Sequence, residues 1–239
     1  MPRAPRIVVP GVPHHVTQRG NRRGAVFFSD DDRRSYLALL REYAAKHSVK
    51  VLAYCLMPNH VHLVVVPPVA DSLHRALKPV HMRHAQRLNH WRDWTGHLWQ
   101  GRFFSSPLDE NYLWAAIRYV ELNPVRAGLV DNAATYAWSS AAGRCRGLDD
   151  SNLTPDPAWQ GRFAAIGDWA AFLSMGLDEG AVRELRRQAQ KGLPCGTDEF
   201  VNELERRSGR CLRGQTPGRP RKLKKPGSVP ISGPKPEIG

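Results

Sequence analysis

His60 and His62 flank Val61 in the run Met57-Pro58-Asn59-His60-Val61-His62-Leu63-Val64-Val65-Val66. In an extended strand, residues two apart share a face, so the two imidazoles converge while Val61, Leu63 and Val65 point away. Such a pair can hold a metal ion, and it is equally compatible with a half-exposed strand edge. Tyr119 and Asn123 lie four apart in the segment Ile117-Arg118-Tyr119-Val120-Glu121-Leu122-Asn123-Pro124. On a helix they share a face, which lets a phenol and an amide oxygen approach a cation on the histidines. A phenol, with a reference pKa of about 10, attacks phosphorus once helped toward phenolate, and a divalent ion acts as a Lewis acid on a phosphate oxygen. His60, His62 and Asn123 are candidate metal ligands on this reading, and Tyr119 is either a nucleophile beside the ion or, like most helical tyrosines, a packing residue. Tyr112 competes for the nucleophile's role from the same helical face, but Ala116 stands where Tyr119 has Asn123.

Holding these groups together needs a sheet with a helix packed on it. Alternation at residues 14–19, followed by Gly20-Asn21, predicts a first strand and a turn. Ser29 followed by Asp30-Asp31-Asp32 predicts a helix start, with Tyr36, Leu37, Leu40 and Tyr43 on its apolar face and an end near Lys46 or His47. Residues 49–57 and 60–66 read as a hairpin turning at Pro58-Asn59. A second helix runs from Asp71-Ser72 to about Trp91, striped by Leu73, Leu77, Val80, His84 and Leu88, and Pro79 should kink or interrupt it. Residues 96–104 are expected to form the fourth strand. A third helix opens at Asp109-Glu110 and stops near Asn123, before Pro124. The order βαββαβ plus a helix predicts an α+β, ferredoxin-like fold: an antiparallel four-stranded sheet with helices on one face. The domain expectation is a catalytic domain over 1–145, a helical extension over 146–214 and a basic, disordered tail over 215–239. Within the extension, residues 178–190 and 198–207 read as two helices packed on the catalytic domain, in preference to a DNA-binding helical hairpin.

A net charge of +13 and an isoelectric point near 10.1 point to a polyanionic partner. Nine Lys or Arg and no acid lie between Arg206 and Lys225, five between Arg75 and Arg92, and five more in the segment through Arg23. Three runs of one sign favour nucleic acid over a merely solvated surface. Cys55, Cys145, Cys195 and Cys211 are scattered, without the paired spacing of a zinc finger or a disulfide framework. With no apolar run long enough to span a bilayer, no membrane partner is expected, and the chain reads as cytoplasmic with reduced thiols.

Five blocks occur in a meaningful order: Val16-Thr17-Gln18-Arg19-Gly20-Asn21, Met57 through His62, Leu98-Trp99-Gln100-Gly101-Arg102-Phe103, Tyr119 through Gly128, and Trp138-Ser139-Ser140. Together they resemble the single-tyrosine transposases of the HUH class (His, hydrophobic, His), and most of all the REP-associated tyrosine transposases. The resemblance implies an HUH-endonuclease fold and a DNA strand transferase that forms a 5′-phosphotyrosine on Tyr119 and frees a 3′-hydroxyl. It implies single-stranded DNA with palindromic hairpins as substrate, Mg2+ or Mn2+ as cofactor, and a nucleoid-associated protein acting as monomer or homodimer. Imidazole ligands alone suit zinc, iron or nickel better than magnesium. Related insertion-sequence transposases carry a Gln as third ligand four residues after the tyrosine, and Asn123 is one methylene shorter. Arg19, Asn21, Arg22, Arg23, Arg102 and Arg126 are candidates for gripping DNA, and Trp99 either stacks a base or packs in the core. Gly218-Arg219-Pro220-Arg221-Lys222 resembles an AT-hook, which would place Arg219 and Arg221 in a minor groove. The alternatives are a non-catalytic ferredoxin-like DNA- or RNA-binding regulator and a mononuclear metal enzyme acting on small molecules.

Overall fold

Ser29 opens helix α1 (Asp30–Lys46): its hydroxyl accepts from the Asp32 amide, while the Asp32 carboxylate accepts from the amides of Ser29 and Phe28. This reciprocal cap satisfies donors that the first turn leaves unpaired, so the helix starts where the acids predicted it. Tyr36, Leu37, Leu40 and Tyr43 are all buried. The computed structural model describes residues 6–213, so Arg219, Arg221 and the expected tail lie outside the described residues.

Strands β1 (His14–Arg19), β2 (Lys50–Met57), β3 (His60–Val66) and β4 (Phe104–Pro107) form one sheet in the order β2-β3-β1-β4, with every neighbouring pair antiparallel. This is the split βαβ arrangement of the ferredoxin-like fold. Register sets the faces: Thr17 pairs with His62, Arg19 with His60, His15 with Val64 and Ser106, and Cys55 with His62. Directly paired residues share a face, so His15, Thr17, Arg19, His60 and His62 all project to one side.

The opposite side of the sheet carries Val16, Leu56, Val61, Leu63 and Val65 against α1 and α2 (Ser72–Arg92). Each fully buried Leu there contributes about 1.5–3 kcal/mol. Leu73, Leu77, Val80, His84 and Leu88 are buried, as their stripe predicted, and α2 continues through Pro79 without interruption.

The fourth strand differs from its expected position. Residues 96–103 bend across the end of the sheet, bridging it at Gly20 and Trp99 and accepting from the Gln18 side chain at the Gly101 carbonyl, and regular pairing begins only at Phe104. Gly96, at φ 91, and the Gly101 bend break the extended path, while burial of Leu98, Trp99 and Phe103 in the α1/α2 core ties the segment down. Apolar spacing therefore resembled a strand where the residues serve as plugs.

The histidine-bearing face is covered by α3 (Glu110–Glu121), capped by the Asp109 carboxylate on the Tyr112 amide. Its last turn passes at Leu122 into the single turn α4 (Asn123–Arg126), where Pro124 needs no donor. Beyond α5 (Ser140–Cys145), α6 (Pro157–Ala164) and α7 (Trp169–Ser174), helix α8 (Glu179–Lys191) buries Val182, Leu185 and Ala189. Trp159, Trp169 and Leu185 share one buried cluster with Leu113, Ile117 and Val120 of α3. Helix α9 (Asp198–Ser208) packs elsewhere, with Leu204 against Ile7, Val9 and Leu212. The two extension helices thus take packing roles at separate places. All four cysteines are free thiols, and no helix among the described residues is long and apolar enough to cross a membrane.

Candidate active site

His60 and His62 stand at the start of β3 with ring centroids 4.8 Å apart. The His60 Nδ1–H donates to Asn59 Oδ1 at 2.6 Å, and the Asn59 amide nitrogen is itself held by the Arg23 carbonyl at 3.0 Å. That arrangement leaves Nε2 as the lone-pair nitrogen of His60. His62 Nδ1 lies 2.9 Å from His15 Nε2, a buried contact between neighbouring strands, and the two rings stack at 5.2 Å. For His62 to offer Nε2 to a cation, its Nδ1 proton must go to His15. His15 then carries its own proton on Nδ1, a buried atom without a hydrogen-bond partner among the described residues.

Burial pulls His15 down to about 4; burial, then the Arg19 charge, pulls His60 down to about 4. His62 falls well below its ordinary value through burial first, then through His60, His15, Arg19 and Arg186. All three imidazoles are therefore neutral near pH 7, the state a metal ligand requires.

Tyr119 reaches this cluster from α3 within the same chain. It is 5 % exposed, its ring meets His62 edge-on at 5.5 Å and His15 at 5.9 Å, and its hydroxyl accepts from Arg186 Nε at 3.3 Å. His15, His60, His62 and Tyr119 line a cavity of about 320 Å³ whose wall also includes Arg19, Arg23, Arg102 and Arg186 and, among the described residues, no carboxylate. Tyr112 is absent from that wall, and its phenol is pushed up by burial, then by Cys195 and the acids Glu184, Asp109 and Asp178.

Asn123 is placed differently from its expected role. Helix α3 ends just before it, and its amide nitrogen donates to the Tyr119 carbonyl at 3.0 Å, satisfying an acceptor of the last turn. It does not line the cavity. Among the described residues no group of three or more His, Cys, Asp or Glu is arranged to hold a metal ion. His60 and His62, both neutral, supply two imidazole nitrogens for a divalent cation.

The expected DNA-gripping residues separate into groups. Arg19, Arg23 and Arg102 line the cavity. Asn21 and Arg22 sit in the turn leading to Arg23, exposed, with Arg22 at φ 52 and Arg23 at φ 61. Gly20 permits this turn, because a Cβ there would overlap the Gly24 carbonyl and crowd Val26. Arg126 lies 5.8 Å from the Tyr119 ring centroid and pairs with Glu179 at 3.6 Å. Trp99 is a packing residue: it is 9 % exposed, lies against His81 and His84, and donates its indole N–H to the His81 carbonyl.

The solvent-exposed aromatic ring in the cavity wall is Phe104, 43 % exposed. It and Arg102 also line a second cavity of about 360 Å³ that adds Arg6, Lys191 and Arg210. Burial and the Arg102 charge pull the Arg6 guanidinium down to about 10. His15, Arg186 and Phe104 are thus the site residues that sequence reading missed. Only His15 left a signal, being two residues from Thr17 on a strand, and using it requires the β1–β3 register.

Residues 9–123 match the family model described as "Transposase IS200 like". Comparison with curated proteins gives no match. Among solved structures, a REP-associated tyrosine transposase bound to a REP hairpin aligns at 18 % identity and TM-score 0.49, covering 65 % of this chain and 93 % of that one. A Deinococcus radiodurans R1 protein assigned as a transposase aligns at 22 % identity and TM-score 0.35, covering 54 % of this chain and 92 % of that one. Through its segment 9–123, which holds both histidines and the tyrosine, the chain is similar to the IS200-like transposases.

Proposed function

We propose that the protein is a metal-dependent, single-tyrosine strand transferase that cuts single-stranded DNA bearing palindromic hairpins of the REP type. Tyr119 is the nucleophile and His60 and His62 are the metal ligands in this reading. The observation that carries it is one cavity in which a phenol, neutral imidazoles and four arginines meet with no carboxylate among the described residues. A phosphodiester supplies the negative charge that such a wall lacks, whereas a small cationic substrate would be repelled.

Arg19, Arg23 and Arg102 hold the DNA backbone across the cavity mouth, and Phe104 offers a face for one base. A bound Mg2+ or Mn2+ on His60 and His62 supplies Lewis acidity toward a phosphate oxygen. Asn123 would join as third ligand only by turning its amide away from the Tyr119 carbonyl. Tyr119 attacks phosphorus and becomes esterified as a 5′-phosphotyrosine, leaving a 3′-hydroxyl on the cut strand. Because the phosphoester is conserved, a second 3′-hydroxyl can reverse the step on another strand. Tyrosine and histidines belong to one chain, so a monomer suffices chemically.

Incubation with hairpin-bearing single strands and Mn2+, followed by denaturing electrophoresis, should reveal a covalent protein–DNA adduct. Tyr119→Phe should abolish it with hairpin binding intact, Tyr112→Phe should leave it in place, and chelator should remove it. An adduct that survives Tyr119→Phe ends the assignment, and hairpin binding without any adduct would identify a non-catalytic regulator.

A further inference from the structure

Helix α8 lies outside the segment that the family model covers, yet it contributes to the cavity wall. Val182 and Leu185 are buried in the core shared with α3, Ala189 is buried at the cavity wall, and Arg186, next to Leu185, reaches into the cavity. Its Nε donates to the Tyr119 hydroxyl at 3.3 Å, and its guanidinium carbon lies 5.7 Å from the Tyr119 ring centroid. Its helix neighbour Arg187 pairs with Glu184, and Arg126 pairs with Glu179. Among the described residues, no carboxylate forms an ion pair with Arg186. Its charge therefore faces the oxygen expected to react.

We propose that Arg186 is a catalytic residue of the strand-transfer reaction: it aims the Tyr119 hydroxyl oxygen at phosphorus and offsets the negative charge that oxygen carries as its proton leaves. This rests on Tyr119 being the nucleophile. In the step, the Tyr119 Oη–P bond forms and the P–O3′ bond breaks, with its electron pair going to O3′. The phenolic proton passes to solvent, O3′ takes a proton from solvent, and Arg186 keeps its own protons throughout. A cationic donor preset at the site of developing charge acts without reorganisation. The helical extension accordingly completes the active site, and the segment 1–145 lacks a group that the chemistry uses.

The test compares the full-length protein with Arg186→Ala, Arg186→Gln and Arg186→Lys, using hairpin-bearing single-stranded DNA and Mn2+. Single-turnover adduct formation at saturating DNA and DNA affinity are measured separately, and circular dichroism checks folding. Losing a charge-assisted hydrogen bond to the reacting oxygen should slow adduct formation roughly ten- to a hundredfold in the Ala and Gln variants, with affinity changed less than about threefold. Lys should retain an intermediate rate. Free guanidinium, well below denaturing concentration, should restore several-fold activity to Arg186→Ala while leaving Arg186→Gln and the parent protein unmoved. A rate equal to or faster than the parent's would overturn the proposal, as would a loss confined to affinity with no rescue at saturating DNA. The Tyr119→Phe control keeps the two readings apart: an adduct that persists there defeats the nucleophile assignment, whereas an unchanged Arg186→Ala defeats only the role of Arg186.

Discussion

Replacing Arg144 by Met should destabilise the protein far more than an ordinary surface change, because it strands a buried carboxylate. Glu121 is 0 % exposed, and its oxygens accept from Ser140 Oγ at 2.6 Å, Trp169 Nε1 at 2.6 Å and the Arg144 guanidinium. Arg144 also donates to the Leu52 carbonyl and lies 4.3 Å from the Phe163 ring centroid and 4.7 Å from that of Trp169. The network ties the end of α3 to β2, α5 and α7, two residues from Tyr119. Arg144→Met preserves much of the stem's packing but leaves Glu121 with neutral donors alone, a loss of about 3–5 kcal/mol. At about 2–4 °C per kcal/mol for a chain of this size, the melting temperature should fall by roughly 6–20 °C. Glu121→Gln should be milder, about 1–3 kcal/mol, because the Arg144 side chain is 12 % exposed and its charge can reach water. The double variant should be more stable than Arg144→Met, since removing both charges leaves no uncompensated ion. Urea unfolding near neutral pH gives all three values. An Arg144→Met loss under about 1 kcal/mol, or a double variant showing the full sum of the single losses, would refute the reasoning.

Three further outcomes are expected. His15→Phe keeps a ring in the stack but removes the partner of His62 Nδ1, so Mn2+ affinity measured by calorimetry should fall about 10- to 100-fold; unchanged affinity would show that His62 is oriented without it. The pH dependence of stability follows from His14, His15 and His60, each pulled down to about 4 mainly by burial, and from His81, pulled down to about 3. The unfolded chain takes up protons near pH 6.5 that the folded one refuses until about pH 4, so stability should fall steadily as pH drops through that window. Urea midpoints that stay flat between pH 7 and pH 5 would contradict those shifts. Phe104→Ala should weaken single-strand binding by about 1–3 kcal/mol at little loss of stability, while Trp99→Ala should destabilise the fold by about 3–5 kcal/mol; the reverse pattern in binding and melting data would return the stacking role to Trp99.

Much of this architecture follows from contacts within a few residues. Ser29 and Asp32 cap α1 through neighbouring amides, Pro58-Asn59 turns the hairpin, and the two-residue period puts His60 and His62 on one face. These features were legible because their partners are adjacent in the chain. Residues 96–104 were misread because apolar spacing is the same for a strand and for a loop plugged into a core, and only the packing of Leu98, Trp99 and Phe103 against α1 and α2 separates them. The same limit hid three residues of the site. His15 meets His62 across 47 positions through strand register, Arg186 meets Tyr119 across 67 positions through the docking of α8 on α3, and Phe104 is brought to the histidine face by its pairing with Thr17. Asn123 shows the converse: its spacing from Tyr119 was read correctly, but the end of α3 draws its amide to the Tyr119 carbonyl. Periodicity determines which face a side chain occupies. Which group from a distant segment meets it there is decided by register and packing, which no local pattern encodes.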